Sequence, residues 1–284
     1  ARSALKIGLK LEEKLGTNPF KFGLVGATDS HTSLATTRED NYFGEVSLME
    51  PGPDRFAGQI VPDPEGVGTA TYEFETVPSG LQGVWSRENT REALWDAMKR
   101  KETYATTGSR ITVRVFAGWG YDEKAVLRPD FAKVGDRGGV SMGGDLRAAP
   151  DGKAPRLMIR ALRDPDGADL DRVQIVKGWL DGRGELHERI YDVACSDDRP
   201  IDDRNRCERP VGDTVDVEKA SYTNDIGEST LIAYWEDPDF DPAQRAFYYL
   251  RVLEIPTPRW TTYDAAHFGV DRPESVPATH QDRA

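Results

Sequence analysis

Apolar and polar positions follow one pattern up to about residue 110 and another after it. Leu5, Leu9 and Leu15 recur near helical spacing, Gly16 offers a stop and Pro19 follows, which predicts a helix over residues 1–16. The continuous apolar run KFGLVGA (21–27) reads as a buried strand. From 32 to 84, turn signals (PGPD, VPDPEG, VPSG) alternate with short apolar stretches, as in a long irregular insertion over one face of a domain. In RENTREALWDAMKRKE (87–102), Asn89 is the expected cap and Glu92 completes a capping box. Ala93, Leu94, Ala97 and Met98 form its apolar stripe, while Lys99, Arg100 and Lys101 suit its C-terminal dipole.

Beyond TYATTG the period shortens to two. ITVRVFAGW, RLMIRALRD, RVQIVKGWL, LHERIYDVA, STLIAYWED and AFYYLRVLEI all read as strands, separated by Gly, Pro and Asp turns. Asp181-Gly182-Arg183-Gly184 reads as a hairpin turn. The fold class expected is therefore α/β plus all-β: an α/β part over 1–109 and an antiparallel β-sandwich over 110–284.

Composition narrows the partners. The chain has 284 residues and a net charge of -12, and an acidic surface repels nucleic acid and anionic lipid, so neither is expected as a partner. No apolar run is long enough for membrane insertion. The chain begins without Met inside an amphipathic pattern, which suggests a fragment. Its two cysteines, Cys195 and Cys207, lie in the polar stretch ACSDDRPIDDRNRCERP. Free thiols usually lie in cores, so this pair reads as a disulfide rather than two reduced thiols, and a periplasmic or secreted location is expected.

The candidate chemistry centres on KFGLVGATDSH. On an extended backbone, residues two apart point the same way, so Asp29 and His31 would converge on one cation while Ser30 faces away. A carboxylate with an imidazole suits Zn, Mn or Fe better than Ca or Mg. Two ligands do not complete a site, and nothing in the spacing brings His187, His267 or His280 to Asp29. A serine-protease triad from Asp29, Ser30 and His31 is excluded, because sequence neighbours cannot line up in the required relay.

Three blocks carry a family resemblance: NPFKFGLVGATDSHTSLATTREDNYFGE, RENTREALWDAMKRKETYATTG and AFYYLRVLEIPTPRWTTYDA. They resemble the C-terminal half of a bacterial domain-of-unknown-function family, number thirty-six-zero-four. That family is similar to the polymerase-and-histidinol-phosphatase (PHP) metallohydrolases, whose irregular β/α barrel holds two or three metal ions. The resemblance implies that residues 1–109 are the last part of such a barrel and that Asp29 and His31 match its late Asp-x-His ligand motif. The earlier His-x-His ligands are absent from this chain, so the resemblance implies a missing N-terminal half as partner. It also implies divalent metal ions as cofactors and a small-molecule substrate. A metal-activated water would attack a phosphoester, ester or carbamate.

Weaker candidates remain. Arg38 and Glu39 follow the motif, where an arginine can hold an anionic substrate group or form only a surface salt bridge. Tyr104, Thr106 and Thr107 in YATTG can line a cleft or turn the chain. Asp237, Asp239 and Asp241 alternate as in a calcium loop, but Pro242 stands where an EF-hand needs Gly. The six tryptophans are scattered and read as core or interface residues. The competing functional reading is a non-catalytic binding or scaffolding module built on the sandwich.

Overall fold

The period-two segments form two antiparallel sheets with a shared core. The computed structural model describes residues 2–27, 29–34, 36–68, 70–147, 149–150 and 152–284. Its first part holds helix α1 (Arg2–Leu15), the pair β1 (Gln59–Val61) and β2 (Thr71–Tyr72), the pair β3 (Leu81–Val84) and β4 (Thr103–Thr106), and helix α2 (Arg91–Lys99). Then follow β5 (Thr112–Gly118), α3 (Phe131–Gly138), β6 (Gly139–Ser141), β7 (Arg156–Leu162), β8 (Leu170–Leu180) and β9 (Leu186–Cys195). The chain closes with β10 (Thr230–Glu236), β11 (Arg245–Glu254), β12 (Thr257–Pro258), α4 (Trp260–Phe268) and β13 (Thr279–His280).

One sheet has the order β10-β7-β5-β6 and the other β11-β8-β9. Val113, Leu157, Ile159, Leu231 and Ala233 of the first meet Val173, Ile175 and Val252 of the second in the main core. Along β7 the alternate residue Met158 points the other way, into a second core with Phe116, Tyr121 and Phe131 under α3. This explains why RLMIRAL is nearly all apolar: a strand buried on both faces has no polar side to show. Its Arg160 stays acceptable there by donating to the carbonyls of Val126 and Arg128, both at 2.8 Å, while stacking on Phe131.

Every strand segment expected after residue 110 is present, and the 181–184 turn joins β8 to β9, with Gly184 at φ 79. The first part differs from expectation in three ways. KFGLVGA forms no strand: it runs across β3 so closely that a side chain on Gly26 would lie 2.1 Å from the Leu81 carbonyl oxygen, leaving no room for a ladder. Helix α2 is capped by Thr90, which accepts from the Ala93 amide at 3.3 Å, and not by Asn89. All paired strands among the described residues are antiparallel and none close into a barrel, so the parallel pairing expected of a β/α barrel segment is not seen.

Cys195 and Cys207 are bridged, with Cα atoms 6.0 Å apart. Asp192 holds the bridged loop by accepting the Cys207 amide at 2.9 Å. Reduction is expected to cost roughly 3 kcal/mol of stability by the chain-entropy relation for so short a loop. Urea unfolding with and without reductant, beside titration of free thiols in denatured protein, checks this; two free thiols before reduction would refute the bridge.

Candidate functional site

A cleft of about 370 Å³ opens where residues 37–40, the loop after β4, the 164–168 turn, the end of β11 and the C-terminal segment meet. Its floor is made by the chain's last residues returning as an edge: Val252 and Ala284 exchange amide bonds at 2.8 and 3.0 Å, and the Glu254 amide donates to the Asp282 carbonyl at 2.9 Å. His280 and Asp282 both line the cleft.

Glu39 enters from the opposite wall. The amide of Trp260, at the start of α4, donates to its Oε2 at 2.5 Å, a favourable place for a carboxylate. Burial nevertheless dominates and pushes the Glu39 carboxyl up to about 8, with the charge of Asp282 adding to the effect. Glu254 is likewise pushed up to about 8, first by burial and then by Asp282, although the Ser109 hydroxyl donates to it. His280 places Nδ1 3.3 Å from Glu39 Oε1 and Nε2 4.0 Å from Asp282 Oδ2. Burial pushes its pKa down, so at neutral pH the Glu39–His280 contact joins an uncharged carboxyl to an uncharged ring.

The arginines of the cleft are already engaged. Arg38 forks onto Asp40 at 2.9 and 2.6 Å. Arg110 forks onto Asp164 at 3.2 and 3.2 Å and also reaches Asp166. Of the weaker sequence candidates, Arg38 and Glu39 thus line the cleft. Thr107 buttresses it, donating its hydroxyl to Asp282 and accepting the Arg283 amide at 3.0 Å. Tyr104 instead packs its ring over Gly83 and against the main core, and Thr106 accepts the Gly108 amide at 3.3 Å.

The family model described as "Protein of unknown function (DUF3604)" matches residues 1–284. The chain belongs to this DUF3604 family. No curated protein and no solved structure matches it.

In this DUF3604 chain a second cavity, about 310 Å³, lies beside the first and is lined by Asp29, Ser30, Glu45 and Glu75 among others. The backbones of Thr37 and Ser79 close on Gly108, whose φ of 139 and 2.2 Å clearance from the Thr37 carbonyl admit only glycine. Asp29 has φ 44, a left-handed turn, so the extended backbone expected to align Asp29 with His31 is absent. The adjoining Thr28 lies outside the described residues. Both side chains are exposed, and the His31 amide is tied to the Glu45 carbonyl at 2.8 Å.

Among the described residues, the group of metal-ligand atoms lying within 4.8 Å of one another is Asp181, Glu185 and His187. It is explained by the hairpin: Asp181 accepts the amides of Arg183 and Glu185, each at 2.9 Å, and contacts His187 at 2.9 Å. The calcium-like triplet is spent similarly. Asp237 pairs with buried Lys177 at 2.6 Å, Asp239 with Arg189 at 2.7 Å, and Asp241 accepts the Ala243 amide at 2.9 Å. Glu254, His280 and Asp282 went unread as site residues. The signal was nonetheless there: His280-x-Asp282 has the spacing of Asp29-x-His31, and at the C-terminal edge the extended geometry it requires is met.

Proposed function

We propose that this DUF3604 chain is part of an exported, metal-dependent hydrolase related to the PHP metallohydrolases, with Asp29 and His31 as ligands to a divalent ion such as Zn, Mn or Fe. The observation that carries the reading is that Asp29, Glu45 and Glu75, carboxylates from three separate segments, line one cavity, while the His31 amide is tied to the Glu45 carbonyl beside it. The donor types fit; the set is incomplete. Glu75 already accepts the Tyr72 amide at 2.8 Å, and further ligands would come from a complementary barrel segment of the same protein.

The distribution of exposed apolar side chains supports that complementary segment. Twelve of the seventeen large apolar side chains exposed among the described residues fall in 1–109, including Leu48 at 90% and Trp95 at 62% exposure. Once bound, the metal would lower the pKa of a water that attacks a phosphoester, ester or carbamate. Export is supported by the disulfide.

The test uses the full-length protein. Asp29→Ala and His31→Ala are expected to lower metal affinity about 100-fold or more, since even outer partners of ligands are worth 10–100-fold. Elemental analysis and hydrolysis of nitrophenyl esters and phosphates read the outcome, and unchanged metal and turnover in both variants would sink the assignment.

A further inference from the structure

We infer that the 370 Å³ cleft between the Glu39 wall and the C-terminal edge binds an uncharged, hydroxyl-rich ligand of the saccharide type. The volume lies in the range of small-molecule sites. Its positive charges are cancelled locally. Both lining arginines are forked on carboxylates, which leaves no spare cation to hold a phosphate or carboxylate ligand.

A cationic ligand fits no better. Asp40, Asp164 and Asp166 already face the two arginines and Asp282 accepts the Thr107 hydroxyl, while burial pushes the Glu39 and Glu254 carboxyls up to about 8, so a cation would have to displace protons before those two attract it. As carboxylic acids they both donate and accept hydrogen bonds, as do the hydroxyls of Ser109 and Thr257 beside them. A ligand hydroxyl asks for that dual capacity.

Tyr222 and Tyr263 supply the independent observation. Both rings are half-buried in the wall of the cleft, yet among the described residues their hydroxyls make no hydrogen bond within the protein. Half-buried tyrosines normally find a partner for that group. Here each combines an apolar ring face, which suits the C–H face of a sugar ring, with an unused polar tip. Neither the hydrolase reading nor the Asp29 cavity is needed for this inference, and its test reads neither metal nor turnover.

Saturation-transfer NMR on the full chain, at millimolar ligand, would compare neutral probes (glucose, galactose, mannose, maltose, cellobiose) with glucuronate and glucosamine. Transfer to at least one neutral sugar is expected. Tyr222→Ala and Tyr263→Ala should each abolish it while melting like the parent protein. Glu254→Gln, an uncharged hydrogen-bonding mimic, should retain it. Transfer confined to the charged probes, no transfer to any neutral probe, transfer that survives both tyrosine variants, or loss of transfer in Glu254→Gln would overturn the inference.

Discussion

Arg55→Leu is expected to destabilise the protein by about 3–5 kcal/mol, the usual cost of leaving one member of a buried ion pair alone. Its guanidinium meets Asp264 at 2.5 and 3.2 Å and donates to the carbonyls of Tyr42, Phe43 and Met49 at 2.8, 3.0 and 3.0 Å. The same group lies over the Trp260 ring at 4.3 Å, and its side chain is 4% exposed. Leucine would leave the Asp264 carboxylate and three carbonyls without donors in a dry environment, and each such group costs more than a formed bond gains.

The loss would reach the cleft. Arg55 pins the irregular 42–55 segment to α4, and the first amide of α4 is the one that holds Glu39. Removing the stranded charge as well, in Arg55→Leu with Asp264→Leu, is expected to recover part of the stability. Urea midpoints of the two variants decide this: a single variant within 1 kcal/mol of the parent, on the order of an ordinary surface change, would show that the pair is not the clasp described.

The second large effect is on pH dependence. Glu39 and Glu254 titrate near 8 when folded and in the ordinary carboxyl range when unfolded. Between those values the folded state binds more protons, so stability must fall as pH rises from about 4.5 to 8 and level off above, by a few kcal/mol per group. His280 acts oppositely. Its lowered pKa means that the unfolded state takes up the proton first below about 6.5, which trims the gain on the acid side. The expected profile is therefore a decline concentrated between pH 6.5 and 8, flattened in the Glu39→Gln, Glu254→Gln double variant, which should also be the more stable protein at pH 8. Urea unfolding across that range in parent and double variant measures it, and stability that climbs from pH 6.5 to 8 in the parent would contradict the burial of these carboxyls.

The sandwich was legible because its signals are local. Strand alternation in β5 and β10 records directly which face is buried, the near-continuous apolar runs of β7 and β8 mark strands covered on both faces, and the 181–184 turn carries its own glycine requirement. Helices α3 and α4 went unread, since short helices against a sheet take much of their stability from packing rather than from periodicity. In α2 the apolar stripe exists, yet only Ala97 is buried while Met98 and Trp95 face outward. Periodicity identifies an apolar face without identifying what covers it.

By itself the sequence determined the sheet-forming segments, the acidic charge, the cysteine pair and the ligand-type residues Asp29 and His31, because each depends on residue type and near-neighbour spacing. Only the tertiary structure decided which of the chemically capable side chains share a wall. Glu39, Glu254, His280 and Asp282 come from both ends of the chain, and their burial, with the pKa shifts that follow from it, arises only when the C-terminal edge closes against β11 and α4. Desolvation is a property of the assembled surroundings, so no spacing rule along the chain encodes it.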